Sequence, residues 1–284
     1  MRETSPVIPD FDIDAFVRAV LAEDMGAGGD VTSQTVIPAD ARFAGVMDSR
    51  DAIVVAGLPL AEAFFRALDP DVTIDRPVED GARVDAGTDL MRITGNARAL
   101  LGAERSALNT VQHLSGIATL TRAYVDRIAG TGATLLDTRK TIPGLRVLEK
   151  YATRMGGATN HRMGLWDAAM IKDNHVAVAG SVEAAVRRAV DAGIARIIVE
   201  VDRVDQIEPA LAAGATHLLL DNMDAATLRG AVILVGGRVP TEASGGVRLD
   251  TIRAIAESGV TYISVGRLTQ SAPAADIGLD FQTN

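Results

Sequence analysis

Apolar and polar positions follow two different rhythms along this chain. Between about residues 41 and 95, short β-like runs alternate with turns. Residues 42–47, 53–56, 72–74 and 90–93 read as strands, punctuated by Asp80-Gly81 and Ala86-Gly87. Ahead of them, 13–22 places Phe16, Val17, Val20 and Leu21 on one face of a predicted helix, with Asp10 or Asp12 at its cap. From about residue 132 the rhythm changes to strand, loop and helix. Near-continuous apolar runs at 134–136, 168–171, 197–201, 217–220, 240–243 and 262–265 predict strands buried on both faces. The intervening stretches carry helix punctuation: Ser181 caps a run to Ala192 before Gly193, a second run covers 204–213 before Gly214, and a third covers about 249–258 before Gly259. Repeated βα units predict a parallel sheet clothed by helices, and the lack of a Gly-rich dinucleotide fingerprint favours a barrel over an open sheet. Residues 105–129 read as a long helical connector between the two regions.

Length and composition narrow the class. The 284 residues suffice for one large domain or two modest ones at about 100–200 residues each. A 48% hydrophobic content provides for a packed core. The net charge of −9 argues against nucleic acid or an anionic membrane as partner. The absence of cysteine excludes disulfides, thiol catalysis and cysteine-held metals. No signal-like start and no apolar run near the roughly 18 residues of a membrane span make the cytoplasm the expected location. The segment 78–84 with Gly87 and Leu90 resembles the small sandwich of biotinyl and lipoyl carriers, but residues 1–139 hold no lysine to modify.

Charge distribution is more informative than its total. The chain has three lysines, Lys140, Lys150 and Lys172, all in one window with Arg139, Arg146, Arg154 and Arg162. Seven cations against Glu149 and Asp167 make residues 138–172 +5, so the remainder carries −14. A cationic island in an acidic protein suits an anionic small molecule, because the local field decides what a cleft attracts. Arg146, Lys150 and Arg154 are expected to form the solvated face of a helix. Arg139, Lys140, Arg162 and Lys172 are not explained that way.

The predicted strand ends gather the rest of the chemistry. They read Asp137-Thr138-Arg139-Lys140, Lys172-Asp173, Glu200 with Asp202, Asp221-Asn222, Glu242-Ala243-Ser244-Gly245-Gly246, and Gly266-Arg267. In a βα barrel the pocket is built at these ends, and phosphate is often held by the last two loops through bare backbone N–H groups. Ser244-Gly245-Gly246 and Ser264-Val265-Gly266-Arg267 each follow a strand and are expected to open a helix. Arg139 and Arg162 offer planar forks for carboxylate or phosphate, and Lys140 and Lys172 offer compact point charges. Lys172 could alternatively pair with its neighbour Asp173. Glu200 and Asp221 end adjacent strands and could share Mg²⁺ or hold sugar hydroxyls. His161 stands beside Arg162 as a ligand candidate, whereas His113 and His217 read as structural. Trp166 reads as packing between helix and strand, or on a substrate ring.

These blocks, with Glu104-Arg105-Ser106-Ala107-Leu108-Asn109, Leu114-Ser115-Gly116-Ile117-Ala118-Thr119, Asn160-His161-Arg162-Met163-Gly164-Leu165 and Asp276-Ile277-Gly278-Leu279-Asp280, resemble the quinolinate phosphoribosyltransferases over nearly the whole chain. The resemblance implies an N-terminal α/β sandwich domain over 1–113, joined by the tail 270–284, and an incomplete α/β (TIM-like) barrel of the type II phosphoribosyltransferases over 114–269. It implies transfer of a phosphoribosyl group from 5-phosphoribosyl-1-pyrophosphate to quinolinate with Mg²⁺, giving nicotinate mononucleotide, pyrophosphate and CO₂ for NAD synthesis. It implies a homodimer with a shared active site, in which Arg105 reaches quinolinate across the interface. Arg139, His161, Arg162 and Lys172 would surround the two carboxylates, with Thr138 beside them. Lys140, Glu200 and Asp221 would serve the donor and its metal. Ser244, Gly245, Gly246, Val265, Gly266 and Arg267 would take the 5-phosphate. Lys140, Lys172, Glu200 and Asp221 are the catalytic candidates.

The chain departs from the common pattern at Ile198, Ala158, Arg267 and Gln270. Two other readings compete. One is an aldolase-like barrel that uses Lys172 as a Schiff-base nucleophile on a phosphorylated sugar. The other is a non-catalytic pyridine-nucleotide sensor, against which Glu200 and Asp221 argue.

Overall fold

The computed structural model describes residues 8–9 and 11–282. In chain order the first elements are α1 (Ile13–Met25), α2 (Val31–Val36), β1 (Arg42–Ser49), β2 (Ile53–Val54), α3 (Leu58–Leu68), β3 (Thr73–Asp75), β4 (Arg83–Val84), β5 (Thr88–Asn96) and the 32-residue α4 (Ala97–Ile128). Then come β6 (Thr134–Leu136), α5 (Arg146–Met155), β7 (Ala169–Ile171), α6 (Asp173–Ala179), α7 (Val182–Asp191) and β8 (Ile197–Val201). The chain ends with α8 (Ile207–Ala213), β9 (His217–Asp221), α9 (Ala225–Val235), β10 (Thr241–Ser244), α10 (Ile252–Ala256), β11 (Tyr262–Ser264), α11 (Arg267–Gln270) and β12 (Ile277–Phe281). Two compact units form: Met1–Thr121 with Val147–Gly157 and Ser271–Asn284, and Arg122–Arg146 with Ala158–Gln270. No helix among the described residues is long and apolar enough to cross a membrane.

In the first unit β12, β1, β5 and β3 form an antiparallel sheet in that order. Phe43 and Met47 of β1 and Met91 and Ile93 of β5 join a core with Val17 and Leu21 of α1, Phe64 and Phe65 of α3, and Leu100 and Leu108 of α4. Asp12 caps α1, its Oδ1 accepting the N–H of Ala15 at 2.9 Å. The other cap candidate, Asp10, lies outside the described residues.

Helix α3 has no capping side chain at its own N-terminus, and Pro59 occupies its first turn, where proline's missing N–H costs nothing. The cap arrives from a distance. Asp80 Oδ2 accepts the N–H of Gly57 at 2.7 Å and its Oδ1 accepts that of Leu58 at 3.1 Å. The Tyr151 hydroxyl of α5 donates to the same Oδ2 at 2.7 Å. Burial raises the pKa of Asp80 despite these donors, and burial together with the Asp80 charge raises that of Tyr151. Tyr151→Phe is therefore expected to cost about 1.5–3 kcal/mol of unfolding free energy, the range for one hydrogen bond to a charged group. Urea titration checks this, and an unaltered midpoint would remove Tyr151 from the cap.

Helix α5 corrects an expectation. Lys150 is 1% exposed and Glu149 is fully buried, with His113 Nε2 2.9 Å from Glu149 Oε1. Arg146 is half-buried, bonding Thr141 Oγ1 and the carbonyl of Met163 at 3.2 Å each. Only Arg154 of the three presumed surface cations is exposed. The helix turns its 148, 149, 152 and 153 positions inward, and Lys150 is carried in with them.

In the second unit six parallel strands run in the order β6-β11-β10-β9-β8-β7. The last strand pairs with the first, while β6 and β7 occupy opposite edges, so the sheet is a barrel cut between its first two strands. Strands β8 and β9 are buried on both faces, which explains their unbroken apolar sequence. The fold is thus mixed α/β with a partial TIM-like barrel.

Candidate active site

Strand register decides which side chains share the barrel's inner face. Met170 is level with Ile198, and Ile198 with His217; Glu200, Leu219, Glu242 and Tyr262 form the next layer. Above Leu219, Asp221 is level with Ser244. Successive residues alternate faces, so Asp221 and Ser244 reach the C-terminal rim one layer above Glu200 and Glu242. At that rim lies a cleft of about 810 Å³, within the size range of small-molecule sites.

The cleft collects every site residue expected of the barrel: Thr138, Arg139, Lys140, His161, Arg162, Lys172, Glu200, Asp221, Ser244, Gly245, Gly246, Val265, Gly266 and Arg267 all line it. Arg105 lies on α4 in the first unit. Met170, Leu219, Asn222, Glu242, Val247, Arg248, Ser264 and Gln270 also line the cleft but were not among the expected ligands. Period-two counting back from Asp221 and Ser244 would have found Leu219 and Glu242.

After β6, buried Asp137 accepts the N–H of His161 at 2.8 Å and the amide of Asn160 at 2.6 Å, joining two loops of the rim. Lys140 is held through its backbone: Thr138 Oγ1 accepts its N–H at 3.1 Å, and Thr269 Oγ1 donates to its carbonyl at 2.7 Å. A Cβ on Gly266 would stand 2.7 Å from Lys140 Cδ, so glycine there leaves room for the lysine stem. Arg162 is buried, its Nη1 donating to the carbonyl of Ala168 at 3.0 Å and its Nη2 lying 3.4 Å from Met170 Sδ. Burial, then the positive charge of Arg139, lowers the pKa of Arg162. Arg139 Nε is buried with no hydrogen-bond partner among the described residues. Two neighbouring guanidiniums, one with an unused donor, fit a multiply charged anion.

Lys172 Nζ pairs with Glu200 Oε2, not with Asp173, whose Oδ1 accepts the N–H of Asn174 at 2.7 Å. Asp221 Oδ2 accepts from the Asn222 amide at 2.7 Å. Gly245 and Gly246 adopt φ of 86° and 61°, conformations that favour glycine. The loop they form does not open a helix directly, as expected from sequence; a turn intervenes before α10 at Ile252. Gly266 does lead straight into α11. Trp166 is 84% exposed and does not line the cleft; its ring lies over Gly164 in the same irregular stretch.

Comparison with known proteins agrees with this architecture. Residues 30–115 match the family described as quinolinate phosphoribosyl transferase, N-terminal domain, and 117–280 match its C-terminal domain. A nicotinate-nucleotide pyrophosphorylase [carboxylating] of Mycobacterium leprae is 45% identical over 274 residues, 93% of this chain and 95% of that protein. The chloroplastic protein of the same name from Oryza sativa is 40% identical over 299 residues, covering 98% of this chain and 80% of its own. The solved nicotinate-nucleotide pyrophosphorylase of Francisella tularensis superposes with a TM-score of 0.91 at 38% identity, covering 98% of this chain and 100% of that one. Both halves match a single family in order and relatives align nearly end to end, so the chain belongs to the quinolinate phosphoribosyl transferase family.

Proposed function

We propose that the protein transfers the phosphoribosyl group of 5-phosphoribosyl-1-pyrophosphate to quinolinate and releases CO₂, producing nicotinate mononucleotide and pyrophosphate for NAD synthesis. The observation that carries this reading is the convergence of Arg139, Lys140, Arg162 and Lys172 on one cleft with Glu200, Asp221 and two glycine loops. Arg139 and Arg162 take the two carboxylates of quinolinate, which relieves their mutual repulsion. The glycine loops and Arg267 hold the 5-phosphate, and Lys140 lies beside Gly266 for the donor's remaining charge. In a homodimer, Arg105 of a second copy completes the quinolinate site.

Breaking the bond to pyrophosphate builds positive charge on the ribose, which Glu200 and Asp221 stabilise electrostatically. Ribosylation makes the ring nitrogen cationic, so the electron pair left at the neighbouring carbon when CO₂ departs is stabilised by the substrate itself. The protein's part in that step is to hold the ring. Glu200 and Asp221 are hard oxygen donors at the ends of neighbouring strands, the donor type Mg²⁺ prefers. When bound, Mg²⁺ supplies charge neutralisation for the pyrophosphate. Glu200 and Asp221 would hold the ion, directly or through water.

The test is release of labelled CO₂ from carboxyl-labelled quinolinate. Release is expected only with both the phosphoribosyl donor and Mg²⁺ present. Release without the donor, or none from freshly purified protein, would reject the reading.

A further inference from the structure

The floor of the cleft holds a polar cluster that the reaction described above leaves unused. Glu242 lies inside β10, fully buried, level with Leu219 on one side and Tyr262 on the other. Its Oε2 is 3.2 Å from His161 Nε2 and 2.9 Å from His217 Nε2. His217 in turn stacks on Tyr262, with ring centroids 5.6 Å apart and planes at 17°. Burial alone would raise the pKa of Glu242, but the hydrogen bonds it accepts from its polar neighbours, His161 first, outweigh burial and hold the value below the usual carboxylate range. The group is thus a buried anion throughout the neutral range, and its stabilising contribution is lost only as pH falls toward that value.

The arrangement continues beyond the carboxylate. His161 Nδ1 accepts the backbone N–H of Arg162 at 2.7 Å. A ring nitrogen that accepts a hydrogen bond carries no proton, which leaves Nε2, the nitrogen that faces Glu242, as the ring's N–H. Asp137 meanwhile accepts the N–H of His161 itself. Two successive backbone N–H groups, of His161 and Arg162, are therefore clamped, one by a carboxylate and one by an imidazole. The next group outward is the Arg162 guanidinium, anchored on Ala168 and lining the cleft.

We infer that Glu242 is a positioning residue for substrate recognition: by fixing His161 with Nδ1 bare, it locks the backbone at Arg162 and aims that guanidinium at a substrate carboxylate. His217 Nε2 stands 2.9 Å from the same carboxylate oxygen as a close neighbour outside hydrogen-bond alignment. His161, with both ring nitrogens engaged by protein, acts as a linker between Glu242 and Arg162. This inference rests on quinolinate being the substrate and adds residues that bind no part of it.

The experiment is steady-state kinetics of Glu242→Gln, whose amide keeps the side-chain volume but removes the negative charge that holds the His161 N–H. KM for quinolinate is expected to rise about tenfold, with kcat and KM for the phosphoribosyl donor within about twofold, the signature of lost binding to one substrate. An unchanged quinolinate KM, or a proportionate fall in every constant, would overturn the inference, the second because it marks a merely structural residue. A second readout needs neither a variant nor turnover. In ¹⁵N-histidine-labelled wild-type protein at neutral pH, His161 is expected as the Nε2–H tautomer; an imidazolium or an Nδ1–H tautomer would overturn the inference even if Glu242→Gln does not fold. A wild-type protein inactive on quinolinate would count against the substrate reading, whereas an active wild type matched by an unaffected Glu242→Gln would count against this inference alone.

Discussion

Lys172→Met is expected to lower kcat/KM by about a thousandfold, whereas Lys172→Arg retains about 1–10% of wild-type activity, because truncating one partner of a close charge pair costs about 2–5 kcal/mol and a guanidinium preserves the charge but not the shape. The geometry dictates both outcomes. Lys172 Nζ sits against Glu200, whose side chain is only 13% exposed, so the methionine variant leaves that carboxylate facing the cleft unpaired. The same contact argues against Lys172 as a Schiff-base nucleophile. Attack on a carbonyl needs a free nitrogen lone pair, and here Nζ is engaged with the Glu200 carboxylate. Arginine cannot form the imine, so an aldolase-like enzyme would lose all activity in Lys172→Arg. Complete loss in a folded Lys172→Arg, together with borohydride trapping of a carbonyl substrate on the wild type, would move the assignment to the aldolase reading. Circular dichroism and thermal melting of both variants separate lost chemistry from lost fold.

The barrel half of the molecule was legible because its physics is local. A parallel strand buried on both faces must be apolar throughout, and the rim that follows it must be polar. The runs at 197–201 and 217–220 therefore announced β8 and β9 to within a residue. Where partners lie far apart in sequence, legibility failed. Helix α3 was missed because its cap, Asp80, comes from 22 residues beyond Leu58, and because Pro59 resembles a breaker when its place in the first turn is unknown. Strand β12 was missed because five residues acquire strand geometry only by pairing with β1, more than 200 residues earlier. Lys150 shows the complementary error. Its spacing from Arg146 and Arg154 suggested a surface stripe, but burial of α5 is set by Leu148, Glu149, Ala152 and Thr153, which lie on the adjoining arc. Within the site, residue type identified the cations at the rim. Glu242 needed the strand register, since an acid two residues before Ser244 reads as part of the same loop until alternation places it a layer below.

Gly245→Ala is expected to raise KM for the phosphoribosyl donor about a hundredfold, the scale associated with misplacing a site by about 1 Å. At φ 86° an alanine is strained wherever it sits, and here its Cβ would stand 2.2 Å from Asn222 Oδ1 and 2.9 Å from the Asn222 backbone nitrogen. Asn222 has little freedom to retreat. It already holds φ 54°, the one left-handed non-glycine among the described residues, and its N–H donates to the carbonyl of Ser244 at 2.9 Å. Its side-chain amide also holds Asp221, so displacement of Asn222 passes to a carboxylate that lines the cleft. Gly246→Ala separates steric from conformational cost. Its φ is 61°, yet a Cβ there meets nothing within 4 Å. Only the left-handed penalty of about 1–2 kcal/mol applies, so the expected loss is about tenfold. Calorimetric titration with quinolinate should find both variants near wild type, because Arg139 and Arg162 reach the cleft from other loops. Equal donor defects at the two glycines would reject the steric argument through Asn222. A quinolinate defect as large as the donor defect would reject the assignment of this loop to the phosphate.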